Sequence, residues 1–254
     1  MKAASFELKP IGVVRSPAKV RKELPPPGAP ASVEVFEEYS AGLLKLDKHS
    51  HLWVLAWLNE AARDTMQVTP RGVEDPGPGG LHGVFAVRSP TRPNPLGLTL
   101  ARITGREGRR IDLERLDFTD GTPVVDLKPY FVSKDMVFSA TNEQIGKPAG
   151  REALLDSMKS QALQFAGASS PDLELAAEIC ADFRCEVLQF ADPGELRITV
   201  PSARPAMMDA FMGMCRVSPG RGSLRWHRAD AVLFEHGGCR YEYLLEQDSF
   251  RRRV

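Results

Sequence analysis

The chain has 254 residues with 33 Lys plus Arg against 33 Asp plus Glu, so its formal net charge is zero at pH 7. Its 43% of hydrophobic and 26% of charged residues are typical of a globular protein and exclude a disordered, collagen-like or disulfide-dense chain. The balanced charge argues against a surface devoted throughout to phosphate binding, which requires many Lys and Arg. This length predicts one large domain or two modest ones.

The chain contains no apolar run near the roughly 18 residues of a membrane helix, and charges interrupt the apolar residues at its start. We therefore expect a cytoplasmic protein with no membrane partner. The four cysteines are Cys180, Cys185, Cys215 and Cys239. In such a chain we expect them to be free thiols rather than disulfides.

The first half is rich in Gly and Pro, as in the stretches at 25–30, 75–80 and 89–97, which disfavours long helices. Short runs of β-branched and apolar residues lie between these breaks. They predict a mainly β domain, a barrel or sandwich of short antiparallel strands. The predicted strands cover residues 11–15, 51–58, 83–87, 98–104, 110–116 and 122–127.

The second half predicts a smaller α+β domain, so we divide the chain into domains at 1–147 and 148–254. Apolar residues spaced three and four apart predict helices at 151–166 and after Ser170, the expected N-cap, with Pro171 at the first helical position. Two hairpins are predicted, one turning at 191–195 and one around 236–238, with a short helix between them. Gly194 is expected to take a positive φ in the first of these turns.

A proline-rich loop with the sequence RSPTRPNPLG follows the predicted strand at 83–87. Its prolines, which fix φ and keep the preceding residues extended, are Pro90, Pro93 and Pro95. The loop is therefore expected to be stiff before any ligand arrives, which lowers the ordering cost of binding. Arg88 and Arg92 offer forked donors for a carboxylate or phosphate, and Asn94 offers a donor and an acceptor. A rigid connector with solvated arginines is the alternative.

A second segment, LDFTDGTPVVDLKPY at 116–130, combines a turn with a strand. Asp120 and Gly121 predict a turn whose backbone groups can face a ligand, although Asp before Gly more often caps the turn with its own carboxylate. Asp126 and Lys128 alternate with apolar residues, which is typical of the polar face of a strand.

These two segments, the opening IGVVRSP at 11–17 and the strand HLWVL at 51–55 together resemble the TsaA-like (TrmO) family. The family consists of S-adenosylmethionine-dependent methyltransferases built on a β-barrel. The resemblance covers roughly residues 8–145, and the ordered patterns RPNP-x-G and DGTP-V-x-D-x-K-P-Y are its most specific part. It implies methylation of N6 of threonylcarbamoyladenosine beside the anticodon of tRNA, and a homodimer.

The resemblance also implies which residues contact the methyl donor, S-adenosyl-L-methionine. Carried over position by position, they are Pro25, Pro26, Pro27, Asn59, Glu60, Arg88, Leu98, Asp120, Gly121, Thr122 and Pro123. The three consecutive prolines stand where the family often has Pro-Arg-Gln, and Asn59-Glu60 replaces a His-Gln-like pair. Contacts made through the backbone would survive these changes.

Methyl transfer from a sulfonium is an in-line displacement, so the protein mainly has to position donor and acceptor at about 3–3.5 Å. An adenine amine that accepts the methyl group must also lose a proton. We name Asp120, Asp126 and Asn94 as catalytic candidates. The substrate-binding candidates are Arg92, Asn94, Lys128 and Tyr130.

We expect no metal. His49 and His51 share one face of a strand but lack a third and fourth ligand. A Cys2His2 set in the second half would consist of Cys215, His227, His236 and Cys239, whose spacing departs from a zinc finger. Nucleotide-binding loops are missing as well, since GPGGLHG at 77–83 ends its G-x-G-x-x-G frame on His and no G-x-x-x-x-G-K-[ST] occurs.

The second half leaves the acceptor open. In family members that act on tRNA, this half supplies part of the RNA surface and contains an Asp-Pro-Arg-Pro-like signature, whereas this chain has Ser202-Ala-Arg-Pro205. Its last 55 residues hold nine Arg against six Asp plus Glu, a small basic excess. Three hypotheses therefore stand: a tRNA adenosine N6-methyltransferase, a methyltransferase of the same barrel type for a small molecule, and a non-catalytic adenosyl-binding protein.

Overall fold

The computed structural model describes residues 7–25, 28–75 and 77–253. These residues form two compact units. The first unit runs to Pro70 and resumes over Asp75–Val137, and the second consists of Arg71–Glu74 and the residues from Phe138 onward. The division between Val137 and Phe138 lies N-terminal to the boundary that the sequence places at 147.

Eight strands belong to the first unit: β1 (Gly12–Arg15), β2 (Ala29–Val35), β3 (His51–Trp57), β4 (Gln67–Val68), β5 (His82–Gly83), β6 (Leu96–Glu107), β7 (Arg110–Leu116) and β8 (Pro123–Pro129). All except β4 and β5 close into a six-stranded barrel in the order β1-β2-β7-β6-β3-β8, with every pair antiparallel. Helix α1 (Val132–Asp135) follows, and 3₁₀ helices lie at Arg21–Glu23, Glu37–Leu43, Leu46–Lys48 and Pro78–Gly80. The predicted antiparallel β-barrel is confirmed.

The barrel forms because alternate residues of its strands are apolar and point inward. In β3, for example, Leu52, Val54 and Ala56 are fully buried, while Trp53 and Leu55 between them are only partly buried. The residues that fill the interior include Val14, Val33, Val35, Ala101, Ile111, Leu113, Leu116, Phe118 and Val124. A filled interior leaves the ends and outer faces of the barrel as the places where a ligand can bind.

The strand predictions are confirmed at β1, β3, β6, β7 and β8, with shifts of a few residues at their ends. The strand predicted at 83–87 is wrong, because β5 ends at Gly83 and residues 84–87 form turns. Strand β2 was missed because its Pro30 reads as a break. The structure accommodates that proline where the β2–β7 register shifts between Ala29 and Ala31.

The second unit combines three helices with a sheet. The helices are α2 (Arg151–Ala166), α3 (Pro171–Asp182), which continues into a π-helical turn at Phe183–Val187, and α4 (Ala206–Cys215). The strands are β9 (Arg197–Pro201), β10 (Leu224–His227), β11 (Ala231–His236), β12 (Cys239–Glu246) and β13 (Ser249–Arg253). The sheet order is β10-β9-β11-β12-β13, with only the β9–β10 pair parallel. No helix of the described residues is long and apolar enough to cross a membrane.

Aromatic rings join the helices of this unit to its sheet. The ring of Phe183 stacks on Phe234 of β11 at 4.3 Å between centroids, and Phe211 of α4 meets Phe234 edge to face at 5.7 Å. Tyr243 of β12 packs on the same ring at 5.5 Å, and all four side chains are fully buried. This core is separate from the core of the barrel.

The local predictions for this half are mostly confirmed. Ser170 caps α3 by accepting the Leu173 N–H at 3.2 Å, and the β11–β12 hairpin turns through Gly237 and Gly238 at φ of 57° and 78°. The hairpin predicted to turn at 191–195 is wrong. The residues predicted as its first arm, 186–190, form the end of the π-helical turn and a following bend and turn, and β9 pairs with β10 and β11 instead.

The Gly97→Ala substitution tests the packing at the start of β6. A Cβ atom at Gly97 would overlap the ring of buried Phe118, whereas one at Gly105 of the same strand would meet its nearest atom at 3.5 Å. We expect Gly97→Ala to lower the free energy of unfolding by about 1–3 kcal/mol because the core is already full. Gly105→Ala is the control and should leave stability unchanged or slightly raised. Equal denaturation midpoints for the two variants would contradict this packing.

Candidate functional site

The order of the strands brings several predicted segments to one end of the barrel. Because all neighbours are antiparallel, β1, β3 and β7 end where β2, β6 and β8 begin, as the pairs Ala29 with Leu116, Trp57 with Leu96 and Val13 with Pro123 show. We call this end the loop end and define it by residues 16–25, 28, 58–62, 84–95 and 117–122. The predicted donor contacts that the structure describes lie at this end or within the first residues of the strands that leave it.

Backbone hydrogen bonds tie the segments of the loop end to one another. Leu58 donates to Pro95 at 2.8 Å, and Arg92 donates to Ala62 at 3.2 Å, so the proline-rich loop is held against the residues that follow β3. The Asp120 N–H donates to the Ala18 carbonyl at 2.8 Å, which joins the turn before β8 to the segment after β1. The loop end therefore contains two pairs of segments that are each held together by backbone hydrogen bonds.

The guanidinium of Arg92 shapes the proline-rich loop from inside. Its Nε donates to the Ser89 carbonyl at 2.7 Å, and its Nη2 donates to the carbonyls of Val84 at 2.8 Å and Val87 at 2.5 Å. These bonds satisfy carbonyl groups that a strand would have used, which explains why residues 84–87 are not extended. The sequence predicts Arg92 as a substrate-binding residue. In the structure, its guanidinium instead donates hydrogen bonds within its own loop.

Arg88 and Asn94 of the same loop are exposed. Within the described ranges, no hydrogen bond or ion pair engages the Arg88 guanidinium, and the Asn94 side chain is also without a hydrogen bond. The structure thus separates the two arginines, since Arg92 holds the loop together and Arg88 keeps its donors available. Nearby, Phe85 is 82% exposed, and Leu98 at the start of β6 is 42% exposed.

Asp120 anchors the turn before β8. Its Oδ1 accepts the Ser16 N–H at 3.1 Å, and its Oδ2 pairs with the Lys19 Nζ at 2.6 Å. The hydrogen bond from Lys19, followed by that from the Ser16 backbone, lowers the pKa of the Asp120 carboxyl below its ordinary value. A carboxylate held in this way is a weak base.

The turn itself has the backbone that its sequence requires. Gly121 has a φ of 79°, which glycine adopts without strain, and its N–H donates to the Val14 carbonyl at 2.9 Å. The Thr122 hydroxyl is buried and donates to the Thr119 carbonyl at 2.8 Å, just before Pro123 opens β8. Asp120 to Pro123 thus form one preorganised corner of the loop end.

Three predicted residues of β8 and its end lie away from this corner. Asp126 and Lys128 form an ion pair of 2.7 Å on the outer face of the strand. The N–H of Tyr130 donates to the His51 carbonyl at 3.0 Å, where β3 begins, which places it toward the opposite end of the barrel. The structure therefore does not bring Lys128 and Tyr130 together with the proline-rich loop.

The remaining predicted donor contacts are Pro25, Asn59 and Glu60, all exposed at the loop end. The Pro25 carbonyl accepts the N–H of Gly28, the residue before β2, at 2.6 Å. Pro26 and Pro27, also predicted donor contacts, lie outside the described residues.

An open cavity of about 420 Å³ lies beside the Asp120 corner, on the outer side of β1, β2 and β7. Its lining includes Arg15, Ser32, Arg110 and Asp112, none of which the sequence singled out. Both arginines have carboxylate partners at 2.8 Å, namely Glu34 for Arg15 and Asp112 for Arg110. In the sequence, the only sign of these lining residues is the alternation of polar residues along the strands. That alternation is common to any solvent-exposed strand face, so it does not identify a cavity.

No group of three or more metal-binding side chains occurs among the residues that the structure describes. The His227 Nε2 donates to the Ala231 carbonyl at 2.8 Å, and Cys239 is exposed. Cys215 lies instead beside Cys180, with 3.5 Å between the two Sγ atoms. The hydrogen bond with Cys180 and burial raise the pKa of the Cys215 thiol, which opposes the thiolate form that binds metals.

Residues 13–136 match the family model of the tRNA-methyltransferase O N-terminal domain. An S-adenosyl-L-methionine-binding protein of Archaeoglobus fulgidus is 40% identical over 141 residues, which cover 54% of this chain and 98% of that protein. The mouse (Mus musculus) tRNA (adenine(37)-N6)-methyltransferase is 34% identical over 150 residues, 53% of this chain and 33% of the mouse protein. A crystal structure of TrmO aligns over 98% of both chains at 21% identity with a TM-score of 0.47.

The Arg92→Ala substitution tests the role of the guanidinium in shaping the loop. It leaves three carbonyl acceptors without their donor, so we expect the free energy of unfolding to fall by about 1–3 kcal/mol. Amide hydrogen exchange should accelerate across residues 84–92. Arg88→Ala is the control, and its stability should stay within about 0.5 kcal/mol of the unmodified chain. Unchanged exchange in Arg92→Ala would contradict the assignment.

The Asp120→Asn substitution tests the anchor of the turn through pH. Because the folded pKa of Asp120 is lowered, its stabilisation is complete above the unfolded pKa near 3.9 and disappears as pH falls through the folded value. Asp120→Asn should therefore be less stable than the unmodified chain at neutral pH, and the two should converge toward about pH 2. Thermal unfolding across this range measures the difference, and a constant difference would rule out the linkage.

Proposed function

The chain belongs to the tRNA-methyltransferase O (TrmO) family, and from this premise we propose that it methylates N6 of threonylcarbamoyladenosine beside the anticodon of tRNA. As a family member it is an S-adenosyl-L-methionine-dependent methyltransferase. The related mouse protein supports tRNA as the acceptor, and the threonylcarbamoyl group on the adenosine is the more specific part of the proposal. A cytoplasmic location is proposed together with the tRNA substrate.

The observation that carries the proposal is the convergence of the predicted donor contacts on the loop end. Pro25, Asn59 and the Asp120 corner follow β1, β3 and β7, and Arg88 lies in the loop before β6, so all four are found at one end of a filled barrel. The hydrogen bonds of Arg92 and the prolines shape this surface before ligand arrives, which lowers the ordering cost of binding. These segments fit an adenosyl ligand that spans several loops.

The donor carries groups that the available side chains fit. It has a carboxylate, and Arg88 presents an exposed guanidinium whose fork matches a carboxylate. Backbone groups of the Asp120 to Pro123 corner can bind the polar edge of an adenine or ribose, and they do not depend on the side chains that differ from the family pattern. When bound, S-adenosyl-L-methionine supplies the methyl group from its sulfonium.

The residues of this chain contribute positioning rather than covalent chemistry. We assign Asp120 to holding the corner, because both of its carboxylate oxygens are engaged and its pKa is lowered. Asp126 is held by Lys128 on the outer face of β8. Asn94, whose side chain is exposed in the stiff loop, can accept a hydrogen bond from the exocyclic amine and orient it, and the proton then passes to water.

We also propose that the chain works as a homodimer. The outer face of β3 and β6 is apolar, since Trp53 pairs with Leu100, Leu55 with Leu98 and Trp57 with Leu96. Leu98 is 42% exposed on this face, and Phe85 of the neighbouring loop is 82% exposed. Covering these side chains with a second copy would remove apolar surface from water next to the loop end.

Calorimetry with S-adenosyl-L-methionine and a methyl-transfer assay test the proposed function. We expect donor binding and transfer to tRNA that carries threonylcarbamoyladenosine, with none to the same tRNA lacking that modification. Transfer to a metabolite extract instead of tRNA would favour the small-molecule methyltransferase. Donor binding without transfer to either pool would leave the non-catalytic binding protein.

Arg88→Ala and Asn94→Ala test the site residues. Arg88→Ala should weaken donor binding at least about tenfold, since a charge-assisted hydrogen bond to a carboxylate is lost. Asn94→Ala should lower kcat more than it changes donor affinity, because the side chain is assigned to the acceptor amine. Neither should shift the melting temperature by more than a degree or two.

Lys48→Ala is the matched control. It removes an exposed cation from the opposite end of the barrel, before β3, and should leave binding and transfer unchanged. Equal donor affinity in Arg88→Ala and Lys48→Ala would remove Arg88 from the site.

A further inference from the structure

An exposed tryptophan lies at the edge of the sheet in the second unit. Trp226 of β10 is 60% exposed, and β10 is the edge strand of the order β10-β9-β11-β12-β13. Large aromatic side chains normally contribute their area to a core or an interface. Trp226 therefore offers a wide apolar surface to a partner outside its own unit.

The charges around Trp226 are positive and available. Arg225 and Arg228 are exposed, and in the part of the chain that the structure describes neither guanidinium forms an ion pair or hydrogen bond. The nearby carboxylate of Asp230 is already paired with Arg204 at 3.2 Å. The ring of His227 is likewise engaged, through its bond to the Ala231 carbonyl.

We propose that Arg225, Trp226 and Arg228, which we call the β10 edge surface, bind an unpaired stretch of RNA in the acceptor tRNA. A base stacks on the Trp226 ring, and the flanking phosphates are neutralised by Arg225 and Arg228. The inference rests on the proposed function, since it takes tRNA as the acceptor.

The chemistry of the surface favours RNA over a protein partner. Protein interfaces are depleted of charge at their centres, whereas the exposed residues beside Trp226 along this edge include Arg225, on the opposite face of β10, and Arg228, just beyond the end of the strand. Every nucleobase has a π face, so an exposed aromatic ring on an edge that also presents cations binds single strands without regard to sequence. An edge strand also leaves one side open along its length, where an extended chain can lie.

A second comparison within the same sheet supports the assignment. At the opposite edge, the exposed arginines of β13 have carboxylate partners: Arg251 with Glu246 at 3.5 Å and Arg253 with Glu242 at 3.7 Å. The arginines of the β10 edge surface have none among the described residues. One edge of the sheet is therefore neutralised internally, and the other retains its positive charge for an external anion.

Binding of fluorescently labelled anticodon stem-loop RNA, measured by anisotropy with no methyl donor present, tests the proposal. Trp226→Ala should weaken binding by roughly tenfold, within the range of base–aromatic stacking. Trp226→Phe should retain most of the affinity because it keeps a stacking ring. The double variant Arg225→Ala with Arg228→Ala should weaken binding uniformly and reduce the slope of log affinity against log salt by about 2.

Arg251→Ala is the matched control, since it removes an exposed arginine from the other edge of the same sheet. Its affinity should fall by less than about twofold, because Glu246 already offsets its charge. Equal affinities for the unmodified chain, Trp226→Ala and the double variant would overturn the proposal. So would a change of oligomeric state in Trp226→Ala with RNA affinity unaltered, because Trp226 would then belong to a protein contact.

The readout separates this inference from the proposed function. If the unmodified chain binds donor and RNA but transfers no methyl group to tRNA, the proposed reaction fails and the β10 edge surface is still tested by anisotropy. If Trp226→Ala and the double variant methylate tRNA with the same KM as the unmodified chain, the proposed reaction stands and only the assignment of the β10 edge surface to RNA binding is wrong.

Discussion

Closure of an antiparallel barrel around a full core determines where chemistry can take place in the first unit. Val14, Val54, Ile111 and the other inward residues occupy the interior, so an adenosyl ligand has to bind at an end or on an outer face. The antiparallel order makes alternate chain ends meet at the same end of the barrel. Segments that are far apart in sequence, at 25, 59, 88 and 120, thereby become neighbours without forming one continuous motif. The loop end is a consequence of strand order, and the site residues take their positions from it.

Several polar side chains that resemble ligands in the sequence stabilise the protein itself. Arg92 donates to carbonyls of its own loop, Asp120 holds the corner before β8, and Arg204 bridges Asp172 at 3.0 Å and Asp230. Each fixes a segment whose neighbours remain exposed. Arg88 and Asn94, whose side chains have unused hydrogen-bonding groups, lie in the same loop as the anchor Arg92. The loop is therefore preorganised because one side chain fixes the backbone conformation while a neighbouring side chain remains free to bind a ligand.

The two units divide the proposed task. The barrel carries the features that fit the methyl donor, and the second unit carries an exposed ring and unpaired arginines that fit RNA. The net charge of the whole chain is zero and does not show this difference between the two edges of the sheet. Arginines of the β13 edge pair with carboxylates, whereas Arg225 and Arg228 at the β10 edge have no such partner among the described residues. Binding of an anion depends on which charges are paired locally rather than on the total.

The sequence by itself determined the local features of the protein. Short runs of β-branched and apolar residues predicted β1, β3, β6, β7 and β8. The Ser170 cap and the Gly237-Gly238 turn followed from local backbone preferences, and the ordered proline and DGTP patterns pointed to the family. Only the tertiary structure decided which polar groups are free. Arg88 and Arg92 have the same chemistry and lie four residues apart, and Arg92 is engaged because carbonyls from residues 84–89 gather around it. The same hydrogen bonds turned residues 84–87 away from a strand, and packing against the Phe234 ring accompanies the helical course of Phe183–Val187. Local patterns encode periodicity and turns, whereas hydrogen-bond partners depend on contacts that the linear order does not contain.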